Sequence, residues 1–188
     1  MEPKRCLWVP LDKPLYVEYH DTEWGVPCHD ERTLFEMICL EGAQAGLSWW
    51  TVLQKREHYR KVFHQFDIAK VAKMTDAALE KLLLDPGIIR HRGKIEGFRQ
   101  NARAWIALRE KEGDVVKWLW SFVGGKPQDH KTRSQENPNT TSLESDALSK
   151  ALRKAGFNFV GSTTMYAFMQ AVGMVNDHAA NCLCRKRS

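Results

Sequence analysis

Leu82-Leu83-Leu84-Asp85-Pro86-Gly87-Ile88-Ile89-Arg90-His91-Arg92-Gly93-Lys94 is the stretch on which the fold turns. The leucines close one helical pattern, Pro86-Gly87 makes a tight turn, and a second helix opens beyond it. Backbone amides just after the turn are expected to point outward at a helix N-terminus, a setting suited to a phosphate. Arg90, His91, Arg92 and Lys94 add positive charge beside it. The residues alone allow two readings: a phosphate-holding hairpin, or an ordinary helix connection with a solvated basic face.

Helical patterns continue on both sides. Thr33-Leu-Phe-Glu36 has the form of a capping box, with Leu34, Met37 and Ile38 on one face behind it. Ser48 reads as the N-cap of a pattern running through Trp49, Val52, Leu53, Arg56, Tyr59 and Phe63. Asp67 and Thr75 start two short helices, the second carrying Leu79, Leu82 and Leu83. Phe98, Ala102, Trp105 and Ile106 form a stripe ending near Gly113, and Val115, Trp118, Leu119 and Phe122 form another before Gly124-Gly125. Ser145 is placed as a cap for Leu148 and Leu152, with Gly156 as the stop, and Thr163 or Thr164 opens a last helix. Residues 126 to about 143 are polar and turn-rich and read as a loop or linker. No period-2 run reaches strand length, so the expected class is all-α.

Composition narrows the setting. The chain has 188 residues, 43% hydrophobic, with 28 Lys and Arg against 23 Asp and Glu. That length suits a single unit with a sizeable core. The net charge of +5 fits a polyanion partner without requiring one. No apolar run approaches the ~20 residues of a membrane span, and no secretory signal is evident, so a cytoplasmic monomer without membrane contact is expected. Five cysteines, an odd number, argue against a disulfide framework.

Cys6 and His20 lie near one end, and His178 and Cys182 near the other. The His-x3-Cys spacing puts two ligands one above the other on a helix face, and the four residues form a set suited to tetrahedral zinc. Cys28, His29, Cys39 and Cys184 leave the pairing open, as does a reading of plain buried thiols. Tyr16, Tyr19, Trp24, Trp49 and Trp50 supply aromatic faces for a pocket or for the core. Glu41 stands in Cys-Leu-Glu-Gly-Ala-Gln-Ala-Gly, too apolar a run for a carboxylate without a task, unless it fixes a helix end.

The hairpin resembles that of the helix-hairpin-helix DNA glycosylases. From Cys6 to Cys182 the chain is similar to the bacterial DNA-3-methyladenine glycosylase I family. The match is carried by Tyr16-Val-Glu-Tyr-His-Asp-Thr-Glu-Trp-Gly-Val-Pro27, Leu34 through Trp49, Gly87-Ile-Ile-Arg-His-Arg-Gly-Lys-Ile95, Phe157 to Thr164, and Val175-Asn-Asp-His178. The resemblance implies one glycosylase unit over 1–188, with the hairpin at about 76–110 and zinc-clasped segments at about 1–25 and 163–188. It implies one structural zinc on Cys6, His20, His178 and Cys182.

It further implies that the partner is duplex DNA containing 3-methyladenine. Glu41 is then the catalytic residue that accepts hydrogen bonds from the flipped base, with Tyr16, Tyr19 and Trp49 binding that base. Gly46 and Leu47 would fill the gap left in the duplex, and Gly87, Arg90, Arg92 and Lys94 would hold its backbone. Two departures stand out: Asp85 and Ile89 replace the Leu and second Gly of the wider superfamily's Leu-Pro-Gly-Ile-Gly hairpin. His91 takes the place of the Schiff-base lysine of bifunctional members, and Arg109 stands near the place of their aspartate, so no lyase activity is implied. The alternatives are a broader glycosylase that also removes 7-methylguanine, and a non-catalytic damage-binding module.

Overall fold

The computed structural model describes residues 4–130 and 140–185. Ten α-helices account for most of the described residues: α1 Pro14–Thr22, α2 Glu31–Gln44, α3 Trp49–Leu53, α4 Arg56–Val62, α5 Ile68–Ala72, α6 Asp76–Leu82, α7 Arg92–Glu112, α8 Val115–Ser121, α9 Leu143–Lys154 and α10 Ser162–Ala171. One departure from all-α is a parallel pairing of two-residue strands, β1 Gln128–Asp129 with β2 Val175–Asn176. Two residues are too few for a period-2 signature. Residues 131–139 of the expected linker lie outside the described residues.

Helix α7 is the axis of the molecule. Ile95, Phe98, Ala102, Trp105 and Leu108 recur at three- and four-residue intervals along it and are all buried. Trp105 meets Phe35 of α2 edge-on, with ring centroids 5.7 Å apart. Phe98 packs on Phe63 at 4.7 Å, within a group that also holds Tyr59 and Phe66. Trp105 is fully enclosed, yet its indole N–H donates to Glu31 at 2.9 Å, so it is buried without a polar penalty.

The caps differ from the sequence reading at three places. Asp30, not Thr33, caps α2; its carboxylate accepts from the Thr33 amide at 2.8 Å. Glu36 is thereby inside the helix and free to pair with Arg56. Ser142, not Ser145, caps α9, and Ser145 closes the capping box from the third helical position. Helix α10 begins at Ser162 behind Gly161, just before the expected threonines. Ser48, Asp67 and Thr75 do cap α3, α5 and α6. The pattern from Trp49 to Phe63 divides at Gln54-Lys55 into α3 and α4. His64, Gln65 and Phe66 then turn left-handed at φ 54, 56 and 54°.

Candidate active site and metal centre

Three helix ends build the aromatic site. Helix α1 carries Tyr16 and Tyr19, α2 carries Glu41 in its last turn, and α3 opens with Trp49 behind the Ser48 cap. Tyr19 and Trp49 are both buried, with ring centroids 5.3 Å apart and planes inclined by 42°. Half-buried Tyr16 lies 6.4 Å from Tyr19 and stacks on Trp50 at 5.9 Å. Lys13 places its ammonium 4.9 Å from the Trp50 ring centre, so Trp50 forms an outer wall. Trp24 belongs elsewhere, against His178 at 4.6 Å.

Glu41 is buried and makes no hydrogen bond to any described residue. Burial pushes its carboxyl up to about 8, against a smaller opposing pull from Arg56. Arg56 does not neutralise it, because its guanidinium is committed to Glu36 at 2.5 Å and to Glu23 at 2.7 Å. Tyr16 and Tyr19 are raised by burial and then by the nearby Glu41 charge, which puts all three groups in one electrostatic neighbourhood. Trp49 Nε1 is the one side-chain nitrogen or oxygen among the described residues that is wholly shut off from solvent and has no hydrogen-bond partner. Two unmet polar groups in one aromatic enclosure are unusual for a core, where such groups are almost always paired.

The sequence reading missed Arg56. A lone arginine in a helical run carries no signal until Glu23 and Glu36 are folded against it.

The hairpin is tied down from behind. Asp85 accepts the Gly87 amide at 2.8 Å and pairs with His58 at 2.7 Å. Tyr59 accepts the Ile89 amide at 3.0 Å, and Lys55 donates to the Pro86 carbonyl at 2.6 Å. The amides of Gly87 and Ile89 are therefore taken, contrary to the expected outward array. A side chain at Gly87 would run into the His58 ring, which explains the glycine.

Arg90 is exposed and makes no ion pair with any described residue, as a phosphate contact requires. Arg92 is exposed but pairs with Glu80 and with Glu96 at 3.5 Å. Lys94 corrects the expectation made for it. It is buried, and its ammonium donates to the carbonyls of Ala43 at 2.8 Å and Ala45 at 2.7 Å. That ties α7 to the turn carrying Gly46 and Leu47, both exposed. His91 caps α7 by accepting the Lys94 amide, and Arg109 pairs with Glu31 at 2.6 Å.

Cys6, His20, His178 and Cys182 meet as one buried cluster, with ligand atoms all within 4.8 Å of one another. Cys6 Sγ and Cys182 Sγ each lie 3.5 Å from His178 Nδ1, and Cys182 Sγ lies 3.6 Å from His20 Nε2. Zinc bonds of about 2.3 Å to sulfur and about 2.0–2.1 Å to nitrogen, set at the tetrahedral angle, space such atoms about 3.5–3.6 Å apart. The donor set fits. The other ring nitrogens are held as a zinc site needs: His20 Nδ1 faces Asp21 at 2.8 Å, and His178 Nε2 donates to the Trp24 carbonyl at 3.1 Å. Backbone amides of Ala179 and Cys184 donate to the two sulfurs at 3.4 Å. Burial lowers both histidines, His178 to about 4, which favours the neutral ring that a metal would need. Cys28 and Cys39 lie outside the cluster, while Cys184 sits beside it, 4.0 Å from His20 Nδ1.

A profile of the methyladenine glycosylase family matches residues 8–186. The chain is 57% identical to DNA-3-methyladenine glycosylase 1 of Escherichia coli over 182 residues, 96% of each protein. It is similar to a crystal structure of 3-methyladenine DNA glycosylase I at TM-score 0.93 and 55% identity, covering 96% of this chain and 99% of that one. A structure of the Staphylococcus aureus 3-methyladenine DNA glycosylase I, described for its recognition of 3-methyladenine, matches at TM-score 0.92 and 35% identity over 96% of both chains.

Proposed function

The chain belongs to the methyladenine glycosylase family, and from that premise we propose how it acts as a base-excision glycosylase for 3-methyladenine in DNA. Its reaction is hydrolysis of the N-glycosidic bond that joins the damaged base to deoxyribose. The observation that carries the mechanism is the buried, unbonded Glu41 carboxyl among Tyr16, Tyr19 and Trp49.

Methylation at N3 makes adenine cationic, and the base leaves neutral, so its bond to sugar is already weak. Selection and positioning then matter more than a strong general acid. Electron-rich rings and one carboxylate favour a cation over an ordinary base. A cation entering the site draws the Glu41 proton off, because opposite charge offsets the desolvation that had raised it. Glu41 accepts hydrogen bonds from the flipped base, Tyr16, Tyr19 and Trp49 enclose it, and the Trp49 N–H is a further donor for it. Extrahelical capture itself favours lesions, since unstacking costs a few kcal/mol and least for a damaged base. Gly46 and Leu47 occupy the vacated space in the duplex, and the helix-hairpin-helix formed by α6 and α7 holds the backbone through Arg90 and Arg92.

The enzyme is monofunctional. His91 stands where a Schiff-base lysine would be needed, and Lys94 is committed to two carbonyls. Cys6, His20, His178 and Cys182 hold one structural zinc that joins the two ends of the chain. With four protein ligands it supplies fold stability and no open position for chemistry.

The test is chromatography of bases released from methylated duplex DNA, with the product strand examined for scission. Release of 3-methyladenine, an uncut abasic strand and no borohydride-trapped adduct are expected. Binding without base release would replace this reading by a damage-binding module, and equal release of 7-methylguanine would broaden the substrate.

A further inference from the structure

We infer that Phe159 is a DNA-contact residue, its exposed ring packing on the strand between the hairpin and the base pocket; this rests on the glycosylase reading above. Phe159 holds φ at 58°, a left-handed conformation that bulky side chains rarely adopt. The surrounding structure fixes it there. Buried Asn101 grips the preceding residue on both sides, accepting the Asn158 amide at 2.7 Å and donating to its carbonyl at 3.2 Å.

Two glycines, Gly42 and Gly97, make room for the side chain, and Gly93 borders it. A Cβ at Gly42 would sit 3.0 Å from the Phe159 Cβ, and Cβ atoms at Gly97 and Gly93 would sit 3.2 and 3.5 Å from its ring. Gly93, Gly97 and Asn101 follow one face of α7 at four-residue steps, and a glycine inside a helix, as Gly97 is, is locally unfavourable. The arrangement gives up helix propensity and backbone comfort to hold this one ring in place. Even so, the residue is left 36% exposed, beside a core in which other phenylalanines are closed off. Strain that the surroundings over-determine points to use at a functional surface.

The position says which surface. Gly42 adjoins Glu41, Gly93 adjoins Arg92, and the His91 ring stands edge-on to Phe159 at 6.1 Å. A strand resting on Arg90 and delivering its base to Glu41 passes over this ring. An aromatic face there packs on a sugar or base regardless of sequence.

The test uses Phe159→Ala and Phe159→Gly; the glycine variant keeps the backbone conformation without its strain. Affinity for a duplex carrying a tetrahydrofuran abasic analogue is measured at several salt concentrations, with free 3-methyladenine binding and thermal melting alongside. Expected are a roughly ten-fold or greater loss of duplex affinity at every salt concentration and an unchanged salt slope, because a stacking contact releases no counterions. Free-base binding should persist in both variants. Duplex binding equal to the parent overturns the inference. So does a parallel loss of free-base binding, which makes Phe159 a pocket support, or a flattened slope, which makes it a prop for the basic hairpin. A parent protein that releases no 3-methyladenine sinks the glycosylase reading itself, a result visible before any variant is made.

Discussion

Lys94 donates its ammonium to the Ala45 carbonyl across 2.7 Å, joining the first turn of α7 to the segment that leads into Gly46 and Leu47. Burial lowers the Lys94 ammonium below the usual lysine range, and it stays useful only because two carbonyls receive it. Lys94→Met keeps the bulk and strands both acceptors. Denaturant unfolding should show a loss of about 1.5–3 kcal/mol, the range for hydrogen bonds to a charged donor. The salt slope of duplex binding should stay at the parent value, whereas Arg90→Ala should lower it by about one. A flattened slope in a folded Lys94→Met protein would return Lys94 to the DNA surface.

How far the sequence revealed this divides by range. Caps at Ser48, Asp67 and Thr75 were legible because an N-cap acts over three residues. Asp30 went unseen because Thr33 and Glu36 imitate a capping box, while Glu36 is in fact drawn inward by Arg56, twenty residues on. Glu41 announced itself by its apolar neighbours. Lys94 looked like one more charge of a basic run, since its carbonyl partners lie some fifty residues away. Phe159 carried no signal at all, because φ and a glycine cradle are properties of packing.

Asp85 offers a second test, since it organises the turn between α6 and α7. Its carboxylate takes the His58 ring and the Gly87 amide, and these contacts, His58 foremost, hold it below the usual carboxylate range. A depressed carboxyl contributes stability that is present above its unfolded pKa and disappears as pH falls through the folded value. Asp85→Ala should therefore destabilise the fold by about 1 kcal/mol near neutrality, the usual net worth of an intramolecular hydrogen bond, with the difference shrinking in acid. Duplex affinity should fall as the turn loosens. An acid-limb stability curve parallel to the parent's would show that Asp85 does not anchor the hairpin.

Metal content tests the clasp. Protein purified without chelator should carry one zinc per chain, and Cys182→Ala should lose it and melt at a lower temperature. Base selectivity should be unchanged, because the cluster and Glu41 are built from different side chains. Cys184→Ala should keep the metal, since Cys184 is outside the four-ligand set although close to His20. Zinc retained in Cys182→Ala but lost in Cys184→Ala would exchange the two ligands; zinc absent from the parent would remove the site.

Glu41→Gln is the sharpest test of the pocket. The substitution preserves shape, removes the charge and turns one acceptor into a donor. In the folded protein burial raises the carboxyl from 4.5 to about 8. A raised carboxyl contributes stability below its unfolded pKa and loses it as pH rises through the folded value, so ionising Glu41 weighs against the parent on the alkaline side. The melting temperature of Glu41→Gln relative to the parent should therefore climb with pH across that window. Excision should move the other way. In the parent, kcat/KM should rise with pH as the free enzyme gains the carboxylate that receives a cationic base. In Glu41→Gln that limb should vanish and 3-methyladenine release should fall clearly but not to zero, because the bond is labile and the aromatic enclosure remains. Zinc content and affinity for undamaged duplex should be unchanged. A folded Glu41→Gln protein with full activity and the same pH limb would make Glu41 a structural residue, leaving recognition to Tyr16, Tyr19 and Trp49.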